Sequence, residues 1–452
     1  MGENPHLSHS GSFILVALLG LSCTQAQSTR QEPANAASNV LGSGSGASNA
    51  VTASGGHTNA PQGTSGGAAS QAMGGSTNAS MGGAGPSSSG GSNSSQASGG
   101  TATIGTPGAW WDTAFGYRRH LTLTGNAQPG EPTEIVTLVE IPTGAIPEAL
   151  AGANGSGLRF TDYTGHALNF EVDSWSANGP QSVWVRLQDV AAARNAGFYM
   201  YYGQAQAPAI SLADSQKTWP DTYAAVWHFE KSATDSTKNG ANGADVQVDF
   251  VPGQVASGVS LKGTQHIGLV KGLPMVAGAT GVTVSAWVNP TMSTDLEPDQ
   301  GILLGIGTAS TGPGDHLSRV SIAIQPGPAL SGELNPDEGS WETTQTPTNS
   351  VSAGTWHFIT AVADLKGNSI TLYVDGVQQG AKLGTEWASA SFMSTPSDRI
   401  VIGGEEDLHG GFYQGLMDEL RVETQARSAE YVALLAKASA SGFVMMGPEE
   451  KH

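Results

Sequence analysis

The chain has a single cysteine, Cys23, among its 452 residues, so no intrachain disulfide can form and no thiolate cluster can hold a metal. Charge is scarce as well: Asp, Glu, Lys and Arg make up only 13% of the residues, and Lys and Arg together number 19. Nucleic acid and anionic lipid surfaces are both held by clustered basic side chains, so neither is an expected partner. The apolar run Phe13 to Leu21 has nine residues, well short of the roughly 20 that a transmembrane helix needs. Without disulfides, the folded part is held by packing. The net charge of -19 leaves acidic loops available for a cation, with calcium the expected one.

What is present begins with that short apolar run, FILVALLGL, which has the length of a signal-peptide core and predicts export. Leu19-Gly20-Leu21-Ser22-Cys23 directly behind it is similar to a bacterial lipobox, and the similarity implies that Cys23 becomes the lipidated first residue after removal of residues 1–22. The alternative is cleavage after Ala26, giving a soluble secreted protein. Residues 23–106 are almost wholly Ser, Gly, Ala, Asn, Thr and Gln, which bury too little apolar surface to offset the entropy of ordering. A disordered tether is expected there, with a root-mean-square span of about 50 Å.

From Trp110 the pattern changes to short runs of strand length: YRRHLTL from Tyr117, IVTLVEI from Ile135, LRF from Leu158, Leu168 to Trp175, VWVRL from Val183 and FYMYY from Phe198. Turn formers separate them, and an antiparallel β-sandwich over residues 107–212 is the expectation. The motifs W-x-x-x-F-x-Y-R-R, G-L-R-F-T-D, F-E-V-D-S-W, V-W-V-R-L and Y-Y-G, in this order, resemble the bacterial domain of unknown function numbered 2341. In that family the domain commonly precedes a LamG-like domain, and it carries no established catalytic residues to transfer.

A second sandwich is expected over residues 213–440, with 441–452 as a tail. About a dozen short strands are read here, a jelly-roll count. Its clearest part is Trp356 to Gly380, where an apolar run, a turn and the β-branched Ile370 to Val374 make a hairpin. Asp375-Gly376 then suits a tight reversal, since glycine tolerates positive φ. W-H-F followed by L-Y-V-D-G, with VTVSAWVN from Val282 upstream and FYQGLMDELRV from Phe412 downstream, is similar to the LamG-like jelly rolls of the concanavalin A-like lectin/glucanase group. Ser428 is positioned to cap a final helix with Tyr431, Leu434 and Leu435 facing inward.

That resemblance implies an all-β fold and candidate residues. Asp235, in D-S-x-x-N-G, and Asp418, in M-D-E-L-R-V, resemble calcium-binding positions of some jelly rolls; the other reading is that they satisfy loop backbone and neighbouring charges. Glucanases of this fold carry E-x-D-x-x-E on one strand, and the nearest approach here is Glu419-Leu420-Arg421-Val422-Glu423, with arginine in the middle. The triplets Trp227-His228-Phe229 and Trp356-His357-Phe358 invite a metal or general-base role for histidine, but alternation places each on the second face of a core strand or beside the sheet, a structural position. The stretch from Pro326 to Ser350 reads as a polar excursion, in which Trp341 either offers a flat face to a sugar ring or pins the stretch to the sandwich by burial; Tyr413 and His409 are the next ligand candidates. The function implied is that of an exported, non-enzymatic surface protein binding a polysaccharide or protein partner, with a secreted carbohydrate-active enzyme as the alternative.

Overall fold

Ile135–Ile141 and Gln181–Leu187 are buried on nearly every residue instead of every second one. Successive side chains of a strand point to opposite faces, so a strand buried throughout is covered on both sides. In the computed structural model these two strands, with Phe170–Ser174, form a three-stranded sheet inside a stack of four antiparallel sheets. The structure describes residues 108–452 except 177–178, 180, 245–247, 270–271, 292–300, 309–316, 336–341, 385–391, 393–398 and 406–410. Cys23, the tether, Trp341 and His409 lie outside the described residues. The described residues all belong to one compact unit.

On one side, Ile135, Val139, Ile141, Val183, Val185 and Leu187 share a core with Leu121, Leu123, Phe198, Met200 and Tyr202 of a five-stranded sheet, completing the first sandwich. On the other side, Val136, Leu138 and Trp184 pack with Trp219, Tyr223, Val226 and Val255 of the second sandwich. The second sandwich pairs an eight-stranded sheet with a seven-stranded one. Its core takes Trp227, Val284, Ile359 and Leu420 from the first of these and Leu304, Ile322, Leu334 and Ile402 from the second. The all-β, two-sandwich expectation holds, and what the sequence reading omitted is that the two share a buried face.

Helix Ala429–Ala438 fills part of that shared face. Ser428 caps it by accepting from the Tyr431 amide at 3.2 Å, and Tyr431, Leu434 and Leu435 are buried, as expected. It joins both halves: Thr137 of the first sandwich donates to the Ala438 carbonyl at 3.1 Å, and Trp287 of the second donates to the Ser439 carbonyl at 3.2 Å. The Asp375-Gly376 reversal is also as expected. Val374 pairs with Val377 across two residues with φ of 52° and 78°, the left-handed pair a two-residue hairpin needs. A Cβ on Gly376 would stand 3.0 Å from the Ala436 Cβ, so the turn is also a close contact for the helix.

Two expectations are corrected. The C-terminal residues are not a tail: Val444–Lys451 is a strand at the edge of the five-stranded sheet, paired antiparallel with Tyr117–Leu123 from Leu123↔Val444 to Tyr117↔Lys451. Its Gly and Glu content lacks the apolar alternation of a core strand because an edge strand in a half-wet sheet does not need it. The polar stretch after Gln325 is not one loop either. It contains strands Ala329–Asn335 and Glu342–Gln345, both in the seven-stranded sheet. The Pro326-Gly327-Pro328 run is confined to the turn, where Gly327 has φ of 84°.

Candidate functional site

The shared face buries a cluster of charged side chains, delivered from both sandwiches. In Phe170–Ser174, Phe170 belongs to the first core and Val172 packs against it, so alternation turns Glu171 and Asp173 toward the second sandwich. The ladder also slips there: Val172 faces Val183 and Ser174 faces Ser182, leaving Asp173 as an extra residue. In Gln414–Glu423 a matching irregularity sets Arg421 opposite Ser285 and Asp418 opposite Trp287, with Glu419 at φ 53°. A bulge of this kind re-aims a side chain, and a non-glycine residue in left-handed conformation is uncommon enough to mark the place. His228 follows strand Tyr223–Trp227, and because Trp227 points into the second core, His228 points out of it toward the first sandwich.

These groups meet closely. His228 Nδ1 lies 2.8 and 2.9 Å from the two Glu419 oxygens, and its Nε2 lies 3.4 Å from Glu171 Oε2. Glu171 also accepts from Trp219 Nε1 at 2.6 Å and from Ser236 Oγ at 2.8 Å. Arg421 donates to Glu419 at 2.9 Å and to Ser439 Oγ at 2.9 Å, while its guanidinium lies 4.3 Å from the Trp184 ring centroid. His228 stacks on the same ring at 5.9 Å. Asp173 accepts from Ser182 Oγ at 2.9 Å, and one carboxylate atom of Asp173, one of Glu419 and a ring nitrogen of His228 all lie within 4.8 Å of one another. Asp418, Glu419 and Arg421 are 0% exposed and His228 6%.

Burial and proximity divide the protons. Burial raises the Asp173 carboxyl to about 8, since the pull of His228 toward ionisation is outweighed by desolvation and by the nearby Glu419 and Glu230. Asp418 is likewise raised well above the carboxylate range by burial, then by Glu419 beside it. For Glu419 burial works in the same direction, but His228 and Arg421 overcome it and hold the group below its ordinary value. His228 shows the converse: burial opposes its charge, yet Glu419 and Asp173 raise it well above the ordinary imidazole range. The centre therefore favours an imidazolium beside the Glu419 carboxylate and Arg421, while burial favours the neutral form of Asp173 and Asp418.

The residues singled out from the sequence fare differently. Asp235 is buried and accepts from the amides of Val226, Thr237 and Ala241 and from Thr237 Oγ1, at 2.8 to 3.0 Å, so its carboxylate builds the D-S-x-x-N-G loop. Asp418 accepts from the Val255 amide at 2.8 Å and belongs to the buried cluster. The donors that converge include Asp173, His228 and Glu419, not Asp235. Tyr413 is a correction: it is 1% exposed, packed in the second core with its hydroxyl donating to the Leu416 carbonyl, and it presents no face to a ligand. Gly415 lets the backbone pass the Tyr413 ring, where a Cβ would come within 2.4 Å of the hydroxyl. His357 is held at the strand start by Asp375 at 2.8 Å and Ser352 at 2.9 Å, a structural role. Glu171, Asp173 and Trp184 were missed as a group; the near-continuous apolar runs IVTLVEI and VWVRL carried the signal, since they require a second covering layer.

Separate from this cluster is an open crevice of about 400 Å³, lined by Gln128, Glu131, Tyr373, Val377, Glu430 and Lys437 among others. It too draws on both sandwiches, and Val377 within it is 59% exposed.

Residues 261–433 match the family model of the concanavalin A-like lectin/glucanases superfamily, and residues 154–241 match that of a domain of unknown function, DUF2341. The second match runs out of the first sandwich to residue 241, and so includes both Asp173 and His228. No curated protein matches the chain. Among solved structures the chain is similar to domain 4 of AbnA, a GH43 extracellular arabinanase from Geobacillus stearothermophilus, in complex with arabinotriose, at 18% identity over 48% of this chain and 98% of that one, with a TM-score of 0.37. It is also similar to the CBM40 of the Ruminococcus gnavus IT-sialidase bound to alpha2,3 sialyllactose, at 17% identity over 39% of this chain and 96% of that one, TM-score 0.32. A SAP-like pentraxin from Limulus polyphemus matches at 18% identity over 42% of this chain and 93% of that one, TM-score 0.31.

Proposed function

We propose that the protein is an exported surface protein that binds glycan without cleaving it, the two sandwiches acting as one fixed head. The match of the second sandwich to the concanavalin A-like superfamily supports a carbohydrate ligand. The observation that carries binding over hydrolysis is the fate of the strand carboxylates. A glycosidase needs two carboxyl groups about 5 to 10 Å apart on either side of an accessible sugar. Asp418, Glu419 and Glu423 are at most 1% exposed, and they are held respectively by the Val255 amide, by His228 with Arg421, and by Arg427 at 2.7 Å. The crevice at Tyr373 and Val377 is open, has the volume of a small-ligand site, and combines apolar surface with amide, carboxylate and ammonium groups.

A glycan array probed with the chain beginning at Gly108 tests this reading. Retention of a defined set of polysaccharides, lost when Val377→Glu fills the crevice and unchanged in melting temperature, is the expected result. If instead reducing sugar is released from the bound polysaccharide, the protein is an enzyme and the reading is wrong. Attachment through Cys23 completes the proposal: Cys23→Ser is expected to move the protein from the membrane fraction to the medium, and a wild-type protein already found in the medium would refute the anchor.

A further inference from the structure

We propose that Asp173, His228 and Glu419 form a site for a divalent transition-metal ion of the zinc type, which ties the first sandwich to the second. The three donors come from three strands or strand ends that are remote in sequence, and they converge within 4.8 Å. Donor atoms around a tetrahedral zinc at roughly 2.1 Å stand about 3.4 Å apart, so a small contraction of these side chains completes the contact.

Convergence of acidic groups alone is common in proteins without a metal. Two further observations point to a ligand here. Asp173 Oδ1 and Asp418 Oδ1 are both buried and have no hydrogen-bond partner, although a buried carboxyl oxygen normally finds one. Asp173 and Glu419 also both sit at ladder irregularities, which turn their side chains into the same space. The surroundings resemble a second coordination shell: Ser182 fixes Asp173, Arg421 fixes Glu419, and Glu171, itself anchored by Trp219 and Ser236, reaches the other side of the imidazole. A set of one ring nitrogen and two carboxylates suits zinc or manganese. It does not suit calcium, which takes six or more oxygens. Binding would displace the proton from the Asp173 carboxyl and one from the His228 ring, because each must offer a lone pair to the ion.

The test uses the full chain, stripped with a chelator and titrated separately with zinc, manganese and calcium while heat, melting temperature and bound metal are read. The expected result is one zinc or manganese per chain and a melting temperature that rises with metal concentration, because the ion binds only the folded state. Asp173→Asn keeps the shape and the Ser182 contact but removes a ligand. It is expected to melt close to the stripped wild type and to bind metal at least tenfold more weakly. If that variant does not fold, cobalt-loaded wild-type protein still decides, since the site requires the visible spectrum of cobalt bound by nitrogen and oxygen donors. Absence of stoichiometric zinc or manganese, equal affinity in Asp173→Asn, or stabilisation by calcium alone would each overturn the proposal.

Discussion

Arg421→Met is expected to lower the unfolding free energy by about 3 to 5 kcal/mol, because breaking a buried ion pair leaves its partner charged and unpaired in a dry site. Arg421 is 0% exposed and lies between Glu419 and the Ser439 hydroxyl, each at 2.9 Å, with its flat face on Trp184. Methionine replaces the bulk but not the donors. Glu419 would keep His228 but lose the guanidinium, and the Trp184 ring would lose the cation over its face. Urea denaturation of the two proteins measures the difference. A change below about 1 kcal/mol, the range of an exposed pair, would mean that water reaches this centre and that the junction is looser than the structure implies.

Removal of residues 444–452 is expected to be as damaging, though nothing in their composition suggests it. Val444–Lys451 contributes six paired positions to Tyr117–Leu123, its neighbour in the first sandwich's larger sheet. At about 1 kcal/mol per net hydrogen bond the loss is on the order of 5 kcal/mol. Side-chain contacts add to it. Glu450 pairs with Arg118 at 2.7 Å, and Glu449 accepts from the Tyr202 hydroxyl at 2.9 Å. The truncated chain should lose protease resistance from about residue 108 onward, and retention of a resistant first sandwich would show that the strand is dispensable.

The sequence made the local pieces legible and concealed how they meet. Alternation located the strands from Tyr117 to Tyr202 and most of those from Tyr223 onward, and turn chemistry found the Asp375-Gly376 reversal, because both signals are carried by neighbouring residues. The pairing of the first strand with the last was invisible, since it joins residues more than 300 positions apart through backbone groups that any side chain can accompany. The cluster at the junction was hidden for a related reason. Its acids lie on strands and its histidine just past one, in runs that read as ordinary sheet, and only the fold brings Glu171 and Asp173 opposite His228 and Glu419. The one accessible clue was the burial pattern required by IVTLVEI and VWVRL, too apolar for a sheet with a wet face. Tyr413 failed in the opposite sense: a residue read as a ligand candidate is a buried ring, against which Gly415 packs closely.

The two sandwiches are expected to unfold as one cooperative body, joined by the apolar contacts of Trp184 with Trp219, Tyr223 and Val226, by helix Ala429–Ala438, and by the buried charges between them. Differential scanning calorimetry of the full chain tests it most directly. A single heat-absorption peak whose calorimetric and van't Hoff enthalpies agree is the predicted result, with Arg421→Met shifting that whole peak to lower temperature. Two resolved peaks, of which Arg421→Met moves only one, would contradict it.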